Sequence, residues 1–358
     1  ILKHNDYSLS LSLKEYSKKF TNYSLIKIKN EYWLDFGILN LYYTSKTKFT
    51  TERSFNTLLF NKYSVIKSGS YSDKLKAEAN WYENIPKKFY RFIPRLWVVS
   101  QYDNNFSYEI ENLYQPSLSE LYIYSEHPTF VWQDIFKSLF EFTEICFSYK
   151  PDKSIHKNFS ETYYSGKTYN RLSKTNINTE KKFTLNGKKV PSIKTILEDI
   201  DNSFNENSSK FESIIHGDFC FSNILFDFKL RTVKVIDPKG ILNKKNSIYG
   251  DIRYDISKLS HSIIGLYDFI ISNRYNLIDN GNNNYIFNIE TNNNVKIVQK
   301  LFLTSKLLGS KILDFPIYQI MIHLFLSMIP LHKDSTSRQN AFLCNSLRLY
   351  LEFKNQKL

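Results

Sequence analysis

With 358 residues the chain has room for about two domains or one bilobal enzyme, and its 42% hydrophobic and 16% aromatic residues support a true core. Lys and Arg outnumber Asp and Glu by 48 to 35, a net charge of +13, but the lysines are spread with no basic block, so the charge does not indicate a nucleic-acid-binding tail; a diffuse positive field suits a small anion such as a nucleotide or a sugar phosphate. Cys146, Cys220 and Cys344 are too far apart for a zinc pattern or a disulfide framework, no apolar run reaches the ~18 residues of a transmembrane helix, and the expected setting is a reducing cytoplasm.

Residues 1–46 read as an N-terminal extension or a linker from an upstream domain, polar and mixed at first, with a helix over Leu11–Phe20. The chain begins at Ile1 without Met and is read as a piece of a longer protein. Residues 47–114 read as a small antiparallel-sheet lobe. Phe49–Phe55 and Thr57–Phe60 are extended segments, Asn61-Lys62 a turn, and Tyr63–Lys67 a third strand. A helix follows over Lys74–Tyr82, carrying Glu78 eleven residues after Lys67, with Glu83 as the competing acid. Leu96–Val99 and Phe106–Leu113 complete the strands. Glu111 to Tyr114 reads as the connection between lobes, and a helix starts in Gln115–Leu121 with Ser117 or Ser119 as its N-cap.

Residues 115–358 read as a larger, mostly helical lobe. Val131, Ile135, Leu139, Phe142 and Ile145 recur at helical spacing over Phe130–Tyr149. Phe159–Leu172 and Ile193–Phe204 are two more helices, and the polar, Lys-rich Ser173–Pro191 between them reads as an exposed loop. Asp279–Asn294 is Asn-rich and reads as a flexible hairpin insertion. Helices over Val295–Leu313, Pro316–Ile329 and Ser337–Phe353 finish the chain.

Ser213–Gly240 carries the chemistry. Ile214-Ile215 ends in the polar turn His216-Gly217-Asp218, and Asn223 stands five residues beyond Asp218. Ile224-Leu225-Phe226, a charged turn and Val233–Ile236 then lead to Asp237: strand, loop, strand, turn, strand, acid. Phosphoryl transfer needs a carboxylate to take or orient the proton of an attacking hydroxyl, and hard oxygen ligands for Mg²⁺ on the nucleotide phosphates. An Asp, an Asn five residues on and a second Asp after a hairpin are those parts in the order of the kinase signature. The simpler alternative is a hairpin with a capping Asp and an Asx-turn Asn.

The segment resembles the catalytic core of the aminoglycoside phosphotransferase and choline kinase-like superfamily, bilobal kinase-fold enzymes that move the γ-phosphate of a nucleoside triphosphate onto small alcohols. The resemblance implies an α+β fold with a small antiparallel-sheet N-lobe and a larger helical C-lobe. It makes Asp218 the catalytic base, Asn223 and Asp237 the Mg²⁺ ligands, and ATP the co-substrate. Lys67 matches the lysine of the V-A-I-K strand, with Glu78 as its helix partner, and the backbone at Glu111 and Leu113 is expected to hold the adenine. Gly250–Leu259, GDIRYDISKL, extends the likeness; Asp251 and Asp255 read as helix N-terminal charge bracing the loop. His216 reads as a brace, not a base. Lys239 is read either as offsetting phosphate charge or as a solvated turn residue. Thr50–Asn56 has no glycine where kinases carry a Gly-rich loop, so Arg53 is expected to grip the β/γ-phosphates instead.

Tyr32–Gly37 and Leu41–Lys46 resemble the junction between a sugar nucleotidyltransferase domain and a kinase-like domain in bacterial surface-polysaccharide proteins; a hydrophobic linker packed on the N-lobe explains them equally. The leading reading is a kinase for a sugar or amino-alcohol hydroxyl, with nucleotide and acceptor as partners and no nucleic acid. The alternative is a pseudokinase or scaffold module attached to a nucleotidyltransferase.

Overall fold

The computed structural model describes residues 9–20, 22, 24, 42, 45, 57–70, 73–102, 105–155, 159, 163–175, 177–203 and 209–356. The chain divides into two compact units, Ile1–Thr51 and Glu52–Leu358. In the first unit a helix spans Leu9–Lys19, close to expectation, with an exposed Lys18–Glu15 ion pair at 3.0 Å. Phe49–Phe55, Arg53 and the Tyr32–Gly37 stretch lie outside the described residues.

The second unit is α+β and bilobal. Its small lobe is a four-stranded antiparallel sheet made of β1 (Thr57–Phe60), β2 (Ser64–Ser70), β3 (Leu96–Tyr102) and β4 (Asn105–Glu111), in the order β1-β2-β4-β3. Phe106, Tyr108 and Ile110 alternate along β4 on the covered face, the period-two pattern of a half-buried strand. Lys67 lies opposite Tyr108, and Val65 opposite Ile110. The Asp73–Asn84 helix packs on this sheet and buries Leu75, Ala77, Glu78, Ala79, Trp81 and Tyr82. Beyond β4, Asn112 N–H donates to the Tyr63 carbonyl at 2.9 Å. The next helix, Leu118–Tyr124, starts with a capping box in which Ser117 Oγ accepts from Glu120 N–H and the Glu120 carboxylate accepts from Ser117 N–H.

The large lobe is built around the Thr129–Ser148, Ile252–Ile263, Ile317–Met328 and Thr336–Gln356 helices. Every residue of Ile252–Ile263 is buried, including Arg253, Asp255, Lys258 and His261. Four expectations change. Ser173–Pro191 is not simply an exposed loop, and Asp279–Asn294 is not an isolated insertion. Phe183–Leu185, Lys188–Val190, Tyr275–Asp279 and Asn284–Ile289 form one four-stranded sheet. It is joined by a parallel pairing of Asn284 with Thr184 and Tyr285 with Leu185. Each piece is short, and the two local hairpins that meet in the sheet lie some 100 residues apart, so local periodicity carries no sign of the joint. The 159–172 helix is broken at Tyr164, and its second part is Ser165–Leu172. The ring of Phe159 stacks on Tyr163 at 4.2 Å, and Tyr163 meets Tyr254 edge-on at 4.8 Å, so aromatic packing turns the chain there. The helix expected to reach Leu313 is Asn293–Thr304; a small hairpin follows, turning through Leu308 and Gly309 at positive φ.

Candidate active site

The Glu212–Ile214 strand pairs with Tyr249–Asp251 and delivers the chain to His216-Gly217-Asp218. Gly217 sits at φ +78°, and a Cβ there would stand 2.8 Å from Lys239 Cβ, so the turn needs glycine for both conformation and space. The loop is pinned from below. Asp255, on the buried Ile252–Ile263 helix, accepts from His216 N–H at 2.6 Å and from Gly217 N–H at 2.9 Å. Burial pushes the Asp255 carboxyl up to about 7, and the two backbone donors work against that rise. Asp251 caps the same helix, accepting from Arg253 N–H at 2.9 Å. Asp255 therefore braces the loop, whereas Asp251 caps the helix and pairs with the Arg253 guanidinium.

The His216 imidazole is fully buried, edge-on to Trp81 at 5.8 Å, and burial drives it down to about 4. It is a neutral ring whose Nδ1 accepts from Asp218 N–H at 3.3 Å, a brace as the sequence indicated. Trp81 Nε1 donates to the Ile215 carbonyl at 2.8 Å and ties the Glu78 helix to the loop.

Asp218 and Asn223 come together: Asn223 Nδ2 donates to Asp218 Oδ2 and to its carbonyl, each at 3.0 Å. Asn223 then leads into Ile224–Asp227, paired antiparallel with Thr232–Val235. Ile236 N–H donates to the Asn223 carbonyl at 2.9 Å, so Asn223 and Asp237 flank the open end of one hairpin. Asp237 holds φ +59°, a left-handed conformation uncommon for a residue with a Cβ. Three residues on, Gly240 at φ +61° lies so close to the Glu78 helix that a Cβ would fall 2.0 Å from the Ala77 carbonyl oxygen.

Lys67 joins the two lobes. Its ammonium pairs with the Asp237 carboxylate and lies 3.3 Å from Glu78 Oε2. Tyr108 Oη donates to the same Glu78 oxygen at 2.6 Å, and Lys74 stands 3.4 Å from the other. Burial alone would lower the Lys67 ammonium; Asp237 and then Glu78 overcome it and hold the group above its ordinary value. Glu78 is thus the partner, and Glu83 is exposed. Glu111 ends β4, its N–H donating to the Arg95 carbonyl at 2.9 Å, and Leu113 is half-buried in the connector two residues on.

Several contributors are not apparent from sequence reasoning. Lys258 Nζ lies 2.8 Å from Asp218 Oδ1. Burial opposes ionisation of Asp218, but this ammonium, by charge and hydrogen bond, holds it below the usual carboxylate range. The signal was present in GDIRYDISKL, where Lys258 follows Asp255 at i+3 and so shares its helix face. Tyr108, which orients Glu78, carries no signal beyond strand alternation. Lys167, on the Ser165–Leu172 helix, feels the charges of Asp218, Lys258 and Arg171, and Lys239 feels both Lys167 and Arg171.

No protein-family model and no curated protein matches the sequence. Solved structures do resemble it. In fold the chain is similar to aminoglycoside phosphotransferases. A thermostable mutant of APH(4)-Ia in apo form is 10% identical, over 84% of this chain and 95% of that one, with a TM-score of 0.49. A ternary complex of that enzyme with ADP and hygromycin B is 11% identical, over 84% and 94%, with a TM-score of 0.48. APH(3'')-Id of Streptomyces rimosus is 11% identical, over 57% and 76%, with a TM-score of 0.38. No helix among the described residues is long and apolar enough to cross a membrane.

Proposed function

We propose that the protein is a small-molecule kinase that transfers the γ-phosphate of ATP to a hydroxyl of a sugar or an amino alcohol. The observation that carries this reading is Lys67: it bridges Glu78, eleven residues on, and Asp237, 170 residues on, beside an Asp218–Asn223 pair. A lone hairpin with a capping acid gives no reason for that bridge. The lobes are read as residues 47–114 and 115–358, behind an extension over 1–46, with Glu111 and Leu113 at the adenine.

In the reaction, Asp218 accepts the acceptor's hydroxyl proton and the freed oxygen forms a bond to the γ-phosphorus. The bond from that phosphorus to the β–γ bridging oxygen breaks, and ADP leaves with the electron pair. Lys67 is poised to turn from Asp237 to the α/β-phosphates. The donor set fits Mg²⁺: an amide oxygen from Asn223 and a carboxylate from Asp237 are hard ligands, and a Mg²⁺ held by them would complete its shell with phosphate and water. Bound there, it would neutralise charge on the transferring phosphate. Asp218, kept ionised by Lys258, orients more than it abstracts, which suits a loose transition state with little proton-transfer demand.

The likeness of residues 32–46 to a nucleotidyltransferase junction supports a place in surface-polysaccharide synthesis. The test is ATP turnover with Mg²⁺ and a panel of sugars and amino alcohols, in wild type and Asp218→Asn. Turnover should fall about 10²- to 10⁴-fold in the variant with the nucleotide KM little changed. Full turnover in Asp218→Asn would remove Asp218 from the mechanism. Failure of wild type to bind Mg·ATP would leave no kinase.

A further inference from the structure

The charges around Asp218 are lopsided. Lys258 already neutralises its carboxylate at 2.8 Å. Lys239 lies on the far side of Gly217, its Cβ against the position a Gly217 side chain would take, with its N–H donating to the His216 carbonyl at 2.8 Å. Its ammonium stands over the Tyr163 ring, 3.1 Å from the centroid, and not in solvent as a plain turn residue would be. Lys167 and Arg171 lie one helical turn apart on Ser165–Leu172, which follows Tyr163 in the chain, and Arg171 is anchored through Nη1 to the Ser327 carbonyl at 3.1 Å. Lys239 feels Lys167, Lys258 and Arg171 as neighbouring cations and Asp218 as the neighbouring anion. Among the described residues neither Lys167 nor Lys239 has a carboxylate in ion-pair contact. Asp255, the other acid nearby, spends its oxygens on the loop backbone.

Lys258 pairs with Asp218 and Lys239 lies along the same loop, with Lys167 and Arg171 close enough to oppose one another's charge, while Lys67 sits at Asp237 instead. On the kinase reading the acceptor hydroxyl lies at Asp218, beside these cations. Resting on the kinase reading above, we propose that the acceptor is an alcohol bearing its own anionic group, a phosphate or a carboxylate, which Lys167, Lys239 and Arg171 bind while Asp218 orients the hydroxyl. A phosphorylated sugar or a sugar acid fits this chemistry. An amino alcohol or an aminoglycoside does not, because its ammonium would meet Arg171 and two lysines that already lack counter-charge. Burial, then the neighbouring Arg171 and Lys258, bring the Lys167 ammonium down to about 7, so it lacks the counter-charge that an anionic ligand would supply.

The experiment is isothermal titration of inorganic phosphate, glucuronate, glucose and glucosamine into the protein, with AMP-PNP and Mg²⁺ filling the nucleotide site. Phosphate or glucuronate should bind about tenfold or more tighter than glucose, with glucosamine weakest, and the stronger of the two names the anion. Lys167→Met/Lys239→Met should lose that preference by about tenfold or more; Lys239→Gln serves if the double variant does not fold. Above pH 7, binding of the anion should take up a proton, because it recharges Lys167, and Lys167→Met should abolish the uptake. In turnover, the lysine variants should raise the acceptor KM and leave the nucleotide KM. Equal binding of the four probes, unchanged anion binding in the variants, or a rise confined to the nucleotide KM would overturn the anionic acceptor while the kinase stands. Failure of AMP-PNP to bind would instead fall on the kinase reading, and the phosphate titration would still decide the anion site.

Discussion

The Asp218–Lys258 pair is asymmetric, and the asymmetry has a measurable consequence. The Lys258 side chain is 11% exposed, whereas the Asp218 side chain is 44% exposed. Removing the carboxylate strands a buried ammonium; removing the ammonium leaves a carboxylate that water can reach. A stranded buried charge costs about 3–5 kcal/mol. In Asp218→Asn the new amide oxygen can still accept from Lys258, but its NH₂ then meets Asn223 Nδ2, now a donor to Asp218 at 3.0 Å. With screening at the open side, about 2–3 kcal/mol remains. Lys258→Met loses only a charge-assisted bond, about 1 kcal/mol once discounted for the exposure of Asp218. At roughly 2–4 °C per kcal/mol, Asp218→Asn should melt about 4–12 °C low and Lys258→Met about 2–4 °C low by calorimetry at pH 7. The double variant should recover part of the larger loss. The folded Asp218 carboxyl is depressed, so its contribution is present above the unfolded value of about 3.9 and is lost as pH falls through the folded value. Lys258 is raised, so its contribution is full below about 10.4 and is lost as pH rises through the folded value. The share of the gap between wild type and Asp218→Asn that belongs to the Asp218–Lys258 pair should therefore be flat between about pH 5 and 9 and close outside that window, with any slope near pH 7 coming from Asp255 and Lys167, which titrate there and feel the Asp218 charge. A Lys258→Met variant at least as unstable as Asp218→Asn, or a double variant equal to the sum of the two, would refute the reasoning.

Lys67→Met should cut kcat about 10²- to 10³-fold, the scale of one lost electrostatic donor in a closed site; turnover within twofold of wild type would take Lys67 out of the chemistry. Arg53→Ala should raise the nucleotide KM severalfold, with only partial recovery in Arg53→Lys because a single ammonium cannot reproduce the guanidinium fork; unchanged kinetics in both would end that role. Gly240→Ala should lower the melting temperature by more than about 5 °C, since its Cβ would fall 2.0 Å from the Ala77 carbonyl and the left-handed backbone is unfavourable to alanine; a variant that melts with wild type would mean that the Glu78 helix shifts freely.

What the chain declares locally came through as local structure. β2 carries Val65-Ile66-Lys67 and runs on to Ser70, the Glu78 helix begins at Asp73, and Ser117 caps Leu118–Tyr124; each depends on period, spacing or a cap within a few residues. The choice of Glu78 over Glu83 needed the sheet, because only the packed helix decides which acid points at Lys67. The chemistry of the Ile252–Ile263 helix was least legible. A helix buried on every face shows no polar stripe, so Asp255 reads as charge at a helix start, and Lys258 gives no sign of its role until the catalytic loop lies on the helix. The second sheet was hidden for a related reason: strands of three to six residues declare themselves only through partners, and the pairing that joins its two hairpins spans a hundred residues. The order and spacing of Asp218, Asn223 and Asp237 were therefore readable in one dimension. Lys67 on Asp237, and Lys167, Arg171 and Lys239 gathered beside Asp218, exist only once the chain has folded, because the groups that shift one another's charge belong to segments far apart in sequence.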